Sequence, residues 1–291
     1  MTINPPVVVG VDGSDTSNAA TLWAARTAAA HGAPLRLVAA QPPPVIPGGM
    51  LVTSQSYFDD LNAESHRILD AAKALAEDAA AGIEVKTSLH NSPPIPLLLD
   101  LSEQARMIVL GTRGRGALRS ALLGSVTTGV VTHARCPVVV VPTPTVPDED
   151  GQIVVGVDGS ANSVPAVEAA FTEASLRGAP LVAVHAWSDI DFDTLPVAVE
   201  ALPWSAVAES EEAALAESLA GMQERFPDVE VTRVVVQDNA VDQLIARSRD
   251  AQLVVVGSHG RGGFRGMLLG STSRALLHRS ERPLMVVRER R

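Results

Sequence analysis

The seven residues VVGVDGS stand at Val8–Ser14 and recur without change at Val154–Ser160, an offset of 146 positions. The same offset relates Gly111 to Gly257, and it also relates two copies of the tetrapeptide GAPL. One constant offset along both halves indicates that a whole domain was duplicated, because an array of short repeats would show a much shorter period.

The duplication predicts two domains of ordinary size in a chain of 291 residues. We expect the first domain at residues 1–143 and the second at residues 152–291. Residues 144–151 are rich in proline and then acidic, which is typical of a linker.

Each half alternates apolar runs of strand length with helix-length segments, starting with the run Val7–Val11 and the Ala-rich segment Ser14–Ala30. Either Ser14 or Asp15 fits the helix N-cap, and Gly32 fits the helix end. The pattern predicts an α/β fold with two tandem, doubly wound, Rossmann-like parallel sheets. In the first half we expect further strands at residues 35–40, 84–89, 107–110 and 138–141, and helices at residues 62–81, 96–104 and 126–133.

Composition excludes several classes of protein. Acidic residues outnumber basic ones 33 to 23, giving a net charge of -10, which argues against a nucleic-acid-binding protein. No apolar run is long enough to span a membrane, and the start of the chain does not resemble a signal peptide, so we expect a cytoplasmic protein. The single cysteine, Cys136, and seven scattered histidines predict neither a disulfide nor a metal site built by the protein.

The fourth strand of each half runs into a glycine-rich loop, and nine of fifteen positions match between residues 111–125 and 257–271. Glycines let backbone N–H groups turn toward a bulky anion. A helix then begins at Ser125 or Ser271, and its first N–H groups lie at the positive end of the helix dipole. Nearby groups that we expect to contact phosphate are the guanidinium groups and hydroxyls of Arg115, Ser125, Thr127, Arg261, Ser271 and Ser273.

These loops differ from two familiar phosphate-binding patterns. The P-loop requires a lysine, and neither loop has one. The dinucleotide pattern G-x-G-x-x-G fails because Arg119 occupies its last position. The loop chemistry alone therefore specifies a phosphate and leaves the rest of the ligand open.

The spacing Gly-x2-Gly-x9-Gly-Ser occurs at Gly111–Ser125 and again at Gly257–Ser271. Together with a first strand ending in VGVDGS and last strands written CPVVVVP and RPLMVVR, it resembles the ATP-binding branch of the universal stress protein family, in the tandem form common in actinobacteria. The resemblance covers both halves almost end to end. It implies five-stranded parallel sheets of order 3-2-1-4-5 and two ATP sites, with any Mg2+ held mainly by the phosphates.

The resemblance also implies which residues contact the nucleotide. Gly10 and Asp12 would lie beside the nucleoside, the glycine loop around the ribose and phosphates, and the start of the next helix on the phosphate tail. In the first half the implied residues are Gly10, Asp12, Val38, Ala39, Gly111, Thr112, Arg113, Gly114, Arg115, Gly116, Ala117, Gly124, Ser125, Val126 and Thr127. In the second half they are Gly156, Asp158, Val184, His185, Asp189, Gly257, Ser258, His259, Gly260, Arg261, Gly262, Gly263, Gly270, Ser271, Thr272 and Ser273.

The adenine ends of the two halves differ. Adenine would lie near Val38-Ala39 in one half and Val184-His185 in the other, and Asp189 aligns with Pro43. A carboxylate accepts a hydrogen bond from a ribose hydroxyl or an amine, whereas proline does not. We therefore hypothesise that the two sites differ in affinity.

Several alternatives stay open at this point. Asp12 and Asp158 either contact the ligand, which we favour, or cap the following turn. The long connections at residues 41–61 and 187–205 are lids or plain surface loops. His259 stands where the first half has Arg113, which argues against a shared catalytic role.

Three functions fit the sequence: an ATP-binding stress-response regulator with little or no turnover, a slow ATPase or nucleotide-transferring enzyme, and a non-catalytic interaction scaffold. No residue stands out as the base that phosphoryl transfer would use, which favours the regulator over an enzyme. The apolar fifth strands, Pro137–Val141 and Pro283–Val287, need covering. The family leads us to expect that they pair the two halves as a pseudo-dimer, and we also expect a homodimer of chains; partner proteins leave no trace in the sequence.

Overall fold

The computed structural model describes residues 4–41, 55–115, 123–143, 151–187, 204–261 and 269–288. The chain divides into two compact units, the first ending at Val146 and the second beginning at Pro147. The limits of the linker, residues 144–151, stay a prediction.

The first unit is a parallel sheet of five strands in the order β3-β2-β1-β4-β5. Its elements are, in chain order, β1 (Val7–Gly10), α1 (Asp15–Ala30), β2 (Leu35–Ala40), α2 (Gln55–Ala79), β3 (Val85–His90), α3 (Pro94–Ser102), β4 (Met107–Gly111), α4 (Ser125–His133) and β5 (Val138–Val141).

The second unit repeats this arrangement, with the strand order β8-β7-β6-β9-β10. Its elements are β6 (Gln152–Gly156), a 3-10 turn (Ala161–Ser163), α5 (Val164–Arg177), β7 (Leu181–Ala186), α6 (Trp204–Leu219), α7 (Met222–Arg225), β8 (Val231–Val236), α8 (Ala240–Arg247), β9 (Ala251–Gly257), α9 (Ser271–Arg279) and β10 (Leu284–Val287). The predicted fold class and the order 3-2-1-4-5 within each domain are confirmed.

The central strands form the core because helices cover both faces of a parallel sheet. Val7, Val8 and Val9 of β1 are almost completely buried. Burying each such side chain stabilises the fold by about 1.5–3 kcal/mol. Alanines such as Ala20 and Ala24 are also fully buried, and their small side chains let α1 pack closely on the strands.

The start of α1 decides between the two N-cap candidates. Ser14 is the N-cap, because its hydroxyl accepts a hydrogen bond from the Ser17 N–H. Asp15 is the first helical residue, where a negative charge interacts favourably with the helix dipole. At the other end His31 is the C-cap, and Gly32 follows in the left-handed conformation with φ of 56°.

Two predicted helices begin earlier than the sequence pattern indicated. The helix expected at residues 62–81 is α2, which starts at Gln55. The helix expected at residues 96–104 is α3, which starts at Pro94. Proline fits the first turn of a helix because that turn does not use its N–H groups.

Candidate functional site

The carboxyl ends of β1 and β4 lie side by side, and Asp12 ties them together. Its Oδ1 accepts hydrogen bonds from the Ser14 N–H at 3.0 Å and the Ser14 hydroxyl at 2.6 Å. Its Oδ2 accepts one from the Arg115 N–H at 2.8 Å. Asp12 therefore caps its own turn and also fixes the start of the glycine loop.

Asp158 repeats the arrangement in the second unit. Its Oδ1 accepts from the Ser160 N–H at 2.9 Å and the Ser160 hydroxyl at 2.7 Å, and its Oδ2 accepts from the Arg261 N–H at 2.6 Å. The turn-capping role that the sequence left open is therefore present in both units, and it does not exclude contact with a ligand.

The hydrogen bonds of Asp12 and Asp158 explain why one position in each loop is a glycine. A Cβ atom at Gly114 would lie 2.5 Å from Asp12 Oδ2, and one at Gly260 would lie 2.7 Å from Asp158 Oδ2. Both distances are shorter than any ordinary contact, so a side chain at either position would push the loop off its carboxylate.

The first position of each loop is a glycine for a different reason, which is close packing against the segment that follows the first strand. A Cβ at Gly111 would lie 2.6 Å from the backbone carbonyl carbon and the Oγ1 of Thr16 on α1. A Cβ at Gly257 would lie 3.1 Å from the Asn162 carbonyl oxygen. At both positions the space that an alanine side chain would need is therefore occupied by the protein itself.

Each glycine loop ends at a helix N-terminus without a side-chain cap. The N-caps of α4 and α9 are Gly124 and Gly270, which carry no side chain to cap the helix, and α3, α5 and α7 also begin without a side-chain cap. A backbone hydrogen bond closes each loop. The Gly124 N–H donates to the Thr112 carbonyl at 2.8 Å, and the Gly270 N–H donates to the Ser258 carbonyl at 2.7 Å. The first N–H groups of α4 and α9 are thus oriented for an anion.

Two of the expected hydroxyl donors are used within the protein. The Thr127 hydroxyl donates to the Gly111 carbonyl at 2.8 Å, and the Ser273 hydroxyl donates to the Gly257 carbonyl at 2.6 Å. Both side chains are buried. We therefore correct the expectation that these hydroxyls donate to phosphate: they tie the helix start to the strand end.

A cavity of about 360 Å³ opens between these strand ends and α3 in the first unit. Eleven of the expected residues line it: Gly10, Asp12, Val38, Gly111, Arg113, Gly114, Arg115, Gly124, Ser125, Val126 and Thr127. The sequence reasoning missed the remaining lining residues, which are Val11, Ser17, Ala40, Pro94, Leu97, Leu98 and Leu110. Pro94 and Leu97 are three residues apart, which places them on one face of a helix. This spacing was the signal in the sequence that could have identified α3 as a wall of the cavity.

The expected adenine contacts divide between the two faces of the sheet. Successive side chains of a strand point to opposite faces, so Val38 and Ala40 face the cavity and Ala39 does not. By the same alternation Val184 and His185 of β7 lie on different faces. His185 is buried against Glu211 of α6, so it takes no place beside Val184. The expectation that Ala39 and His185 contact the base is therefore corrected.

The arginines of the two loops lie over the turns at the ends of β1 and β6. A Cβ at Gly159 would meet the Arg261 guanidinium at 2.5 Å, and one at Gly13 would lie 3.6 Å from that of Arg115. Each guanidinium also pairs with a glutamate of the following long helix, Arg115 with Glu64 of α2 at 3.1 Å and Arg261 with Glu211 of α6 at 3.5 Å. The two glutamates stand at different positions of the repeat, since the offset of 146 relates Glu211 to Ser65. Both arginines stay about half exposed, within reach of a ligand.

The other expected contacts in the second unit sit where the repeat places them. Ser258 is buried, and its hydroxyl lies 3.0 Å from His259 Nδ1. Ser271 is exposed at the first position of α9, and Thr272 follows it. Gly156 ends β6 as Gly10 ends β1. Five expected residues lie outside the described part of the chain: Gly116, Ala117, Asp189, Gly262 and Gly263. Pro43 and most of the two long connections lie outside it too.

Comparison with known proteins decides the family. The model of the family described as "Universal stress protein family" matches residues 4–142 and again residues 151–288. The chain belongs to the universal stress protein family. The predicted resemblance is thereby confirmed for both halves.

Universal stress protein relatives match nearly the whole chain. Universal stress protein Rv2005c of Mycobacterium tuberculosis is 45% identical over 296 residues, covering 97% of this chain and 97% of its own. Universal stress protein Rv1996 of the same organism is 41% identical, covering 98% and 95%. A crystal structure of a universal stress protein from Archaeoglobus fulgidus DSM 4304 covers 99% of this chain and all of its own, with a TM-score of 0.70 at 20% identity, which supports the fold alone.

None of the helices in the described ranges combines the length and the apolar composition that crossing a bilayer requires.

Proposed function

We propose that each unit of this universal stress protein binds one molecule of ATP, and that the protein acts as an ATP-responsive stress regulator with little or no turnover. The observation that carries the proposal is the pair of uncapped helix N-termini, at Gly124 and Gly270, each facing a glycine loop held by an aspartate. Such a helix start offers N–H donors and a positive dipole end to phosphate.

The glycine at the N-cap of α4 supports an anion at this position. A Cβ at Gly124 would meet the protein only at ordinary contact distance, 3.5 Å from the nearest atoms of Thr112 and Arg113. The packing of the protein therefore does not require glycine there, whereas the close approach of a bulky phosphate does.

The cavity next to this helix start suits the rest of a nucleotide. Its volume of about 360 Å³ falls in the range of small-ligand sites. Val38, Ala40, Pro94 and Leu97 give it an apolar wall. The choice of ATP among nucleotides rests on the family's glycine pattern, which both halves keep in full.

The chemistry of the lining favours binding over turnover. Among the described residues that line the cavity, Asp12 is the only carboxylate, and protein N–H and O–H groups already occupy both of its oxygens. A base for an attacking water is thus missing from the described lining. Mg2+ would be held mainly by the phosphates of the nucleotide.

Titration calorimetry with ATP on single-site variants tests the proposal. The wild type should bind two ATP per chain, Gly124→Ala should lose the first site, and Gly270→Ala should lose the second, because each methyl stands where phosphate must approach. Each variant keeps the other site as its internal control, and thermal unfolding checks that it folds. ATP binding in the double variant at the wild-type level would overturn the proposal.

Turnover is tested separately, by incubating the protein with ATP and Mg2+ at stoichiometric and catalytic ratios. We expect at most a slow release of phosphate, and rapid multiple turnover would favour the enzyme hypothesis. The pairing of the two units through their fifth strands, a homodimer of chains and a cytoplasmic location stay predictions.

A further inference from the structure

The first unit contains a buried polar atom that no described residue hydrogen-bonds. This atom is Nε2 of His90, the last residue of β3. An imidazole Nε2 either donates or accepts a hydrogen bond in each of its protonation states. Most buried side-chain nitrogens in proteins have a partner, because burial without one loses the hydrogen bond to water.

The position of His90 distinguishes it from the other described side chain with such an atom. That side chain is Arg106, which precedes β4 and so lies at the amino end of the strands, away from the cavity. The Nη2 of Arg106 donates to Asn4 at 2.9 Å. His90 lies at the carboxyl end of its strand, at the same edge of the sheet as the glycine loop.

The pairing of β3 with β2 places His90 beside the cavity. Ala40 is the register partner of His90 in this parallel pair. Register partners project to the same face of a sheet from strands about 4.8 Å apart. Ala40 lines the cavity, so His90 lies on the cavity face, one strand beyond the lining. Because the side chain of Ala40 is a single methyl, a flat group that packs on it comes within reach of His90.

The strand order puts His90 at the end of the site that is far from the phosphate position. The helix start that suits a phosphate follows β4, and from there the order of strands is β4, β1, β2, β3. Three strand spacings, about 14 Å in all, separate β4 from β3. A nucleotide with its phosphates at the start of α4 and its sugar over β1 therefore extends its base over β2, next to β3.

The neighbouring polar side chain is directed elsewhere. Gln41 follows Ala40, and its N–H donates to the His90 carbonyl at 2.8 Å. Its Oε1 accepts from the hydroxyl of Ser65 on α2 at 3.0 Å. The amide oxygen of Gln41 is therefore engaged with α2 and leaves the His90 nitrogen without a bond.

The second unit keeps the backbone here and lacks the imidazole. Val236 stands at the position of His90 and pairs with Ala186 in the same register. The Trp187 N–H donates to the Val236 carbonyl at 3.2 Å, as Gln41 does in the first unit. The duplicated domain thus provides its own reference for what the imidazole adds.

We propose that His90 is a specificity-determining residue of the first nucleotide site, where its Nε2 hydrogen-bonds to the polar edge of a purine base packed on Ala40. Adenine carries an amine that donates and ring nitrogens that accept, so it can pair with Nε2 in either role. The second site, with Val236, holds the base without this bond. The inference rests on the proposed function, because it assumes that the first unit binds a nucleotide.

Calorimetry in the Gly270→Ala protein, which retains the first site, tests the role of the imidazole. His90→Leu keeps a side chain of similar size and removes the nitrogen, so it should weaken ATP binding by about tenfold, the upper range for one hydrogen bond. His90→Gln places an amide nitrogen near the position of Nε2 and should stay within about threefold of the unchanged site.

A ligand without a base locates the effect. Ribose 5-triphosphate, measured in competition with ATP, keeps the sugar and the phosphates. It should bind equally well with His90 and with His90→Leu. A loss as large as that of ATP would contradict a contact with the base.

Thermal unfolding without nucleotide provides an independent readout. His90→Leu should unfold at the same temperature as the unchanged protein or a higher one, because an apolar group replaces an unpaired buried nitrogen. A lower midpoint would mean that the protein itself satisfies His90, which contradicts the proposal.

The outcomes separate this inference from the proposed function. Equal ATP affinity with His90 and with His90→Leu would refute the specificity role while ATP binding by the first unit stands. If the Gly270→Ala protein with His90 intact binds no ATP, the proposed function fails and this inference fails with it.

Discussion

The two units share the contacts that shape the glycine loop and differ in the side chains around it. Asp12 and Asp158 make the same three hydrogen bonds to their turns and loops. By contrast, Leu97 in the first cavity wall is replaced by Gln243, whose side chain bonds to Asp238. Duplication has thus kept the backbone geometry of the glycine loop, while the side chains around it have diverged.

The largest difference in stability between the two units is expected when the first glycine of each loop is changed to alanine. Gly111→Ala should cost about 1–3 kcal/mol of unfolding free energy, because its methyl would meet the α1 backbone at 2.6 Å. Gly257→Ala should cost less, since its closest neighbour, a carbonyl oxygen, is 3.1 Å away and sits in a short 3-10 turn. Urea unfolding, with hydrogen exchange to assign each transition to its unit, measures both.

Gly124→Ala is the matched control for these variants, because its methyl has room. It should leave the unfolding free energy close to the wild-type value. Equal losses at Gly111 and Gly257 would show that the difference between the two packing environments has no energetic consequence.

The fold was predictable because its signals are local and repeated. The strands are continuous apolar runs, Ser14 begins a helix and Gly32 follows its end, and the same order of elements occurs twice. The glycine loop and the helix start that follows it were predictable for the same reason, since glycines and a helix start mark them in the sequence. These features depend on a few neighbouring residues, which a sequence displays directly.

The parts that sequence reasoning missed depend on direction and on distant contacts. Whether Ala39 or Ala40 faces the cavity depends on the pleat of β2, and a shift of one residue reverses the answer. The Thr127 hydroxyl looks like a phosphate donor until its distance to the Gly111 carbonyl is known. The pairing of His185 with Glu211 joins residues of β7 and α6, which a long connection separates in sequence.

A smaller effect is expected where α3 packs on α4. A Cβ at Gly129 would lie 2.9 Å from Cδ1 of Ile95, and the second unit has Ala275 and Val241 at these positions. Gly129→Ala alone should be nearly neutral, because the gain in helix propensity, about 1 kcal/mol, is offset by the steric contact. In an Ile95→Val background the same change should stabilise the first unit by about 1 kcal/mol.

A double-mutant cycle in urea unfolding measures this coupling. The expected interaction free energy between the two positions is about 1 kcal/mol in the stabilising direction. Additive effects would mean that Ile95 moves aside without cost. The replacement of Gly129 and Ile95 by Ala275 and Val241 in the second unit would then have no energetic coupling behind it.

The smallest expected difference concerns Asp238, which precedes α8 where the first unit has Ser92. A hydrogen bond from the Asn239 N–H, with a second from the Gln243 side chain, lowers the pKa of Asp238 below its ordinary value of 3.8. A lowered pKa in the folded protein means that the carboxylate stabilises the second unit above pH 3.8 and that this contribution is lost as pH falls through the lowered value. The group is fully exposed, so the effect on stability is small.

Carboxyl 13C NMR titration from pH 2 to pH 6 measures the pKa of Asp238 directly. Gln243→Leu, which copies Leu97 of the first unit, should raise it toward 3.8, because one of the two hydrogen bonds to the carboxylate disappears. Asp238→Ser, which copies Ser92, assigns the signal and removes the titration. A pKa at or above 3.8 in the wild type would mean that the polar cluster at the start of α8 does not hold the carboxylate, and that the side-chain differences between the units at this end have no electrostatic effect.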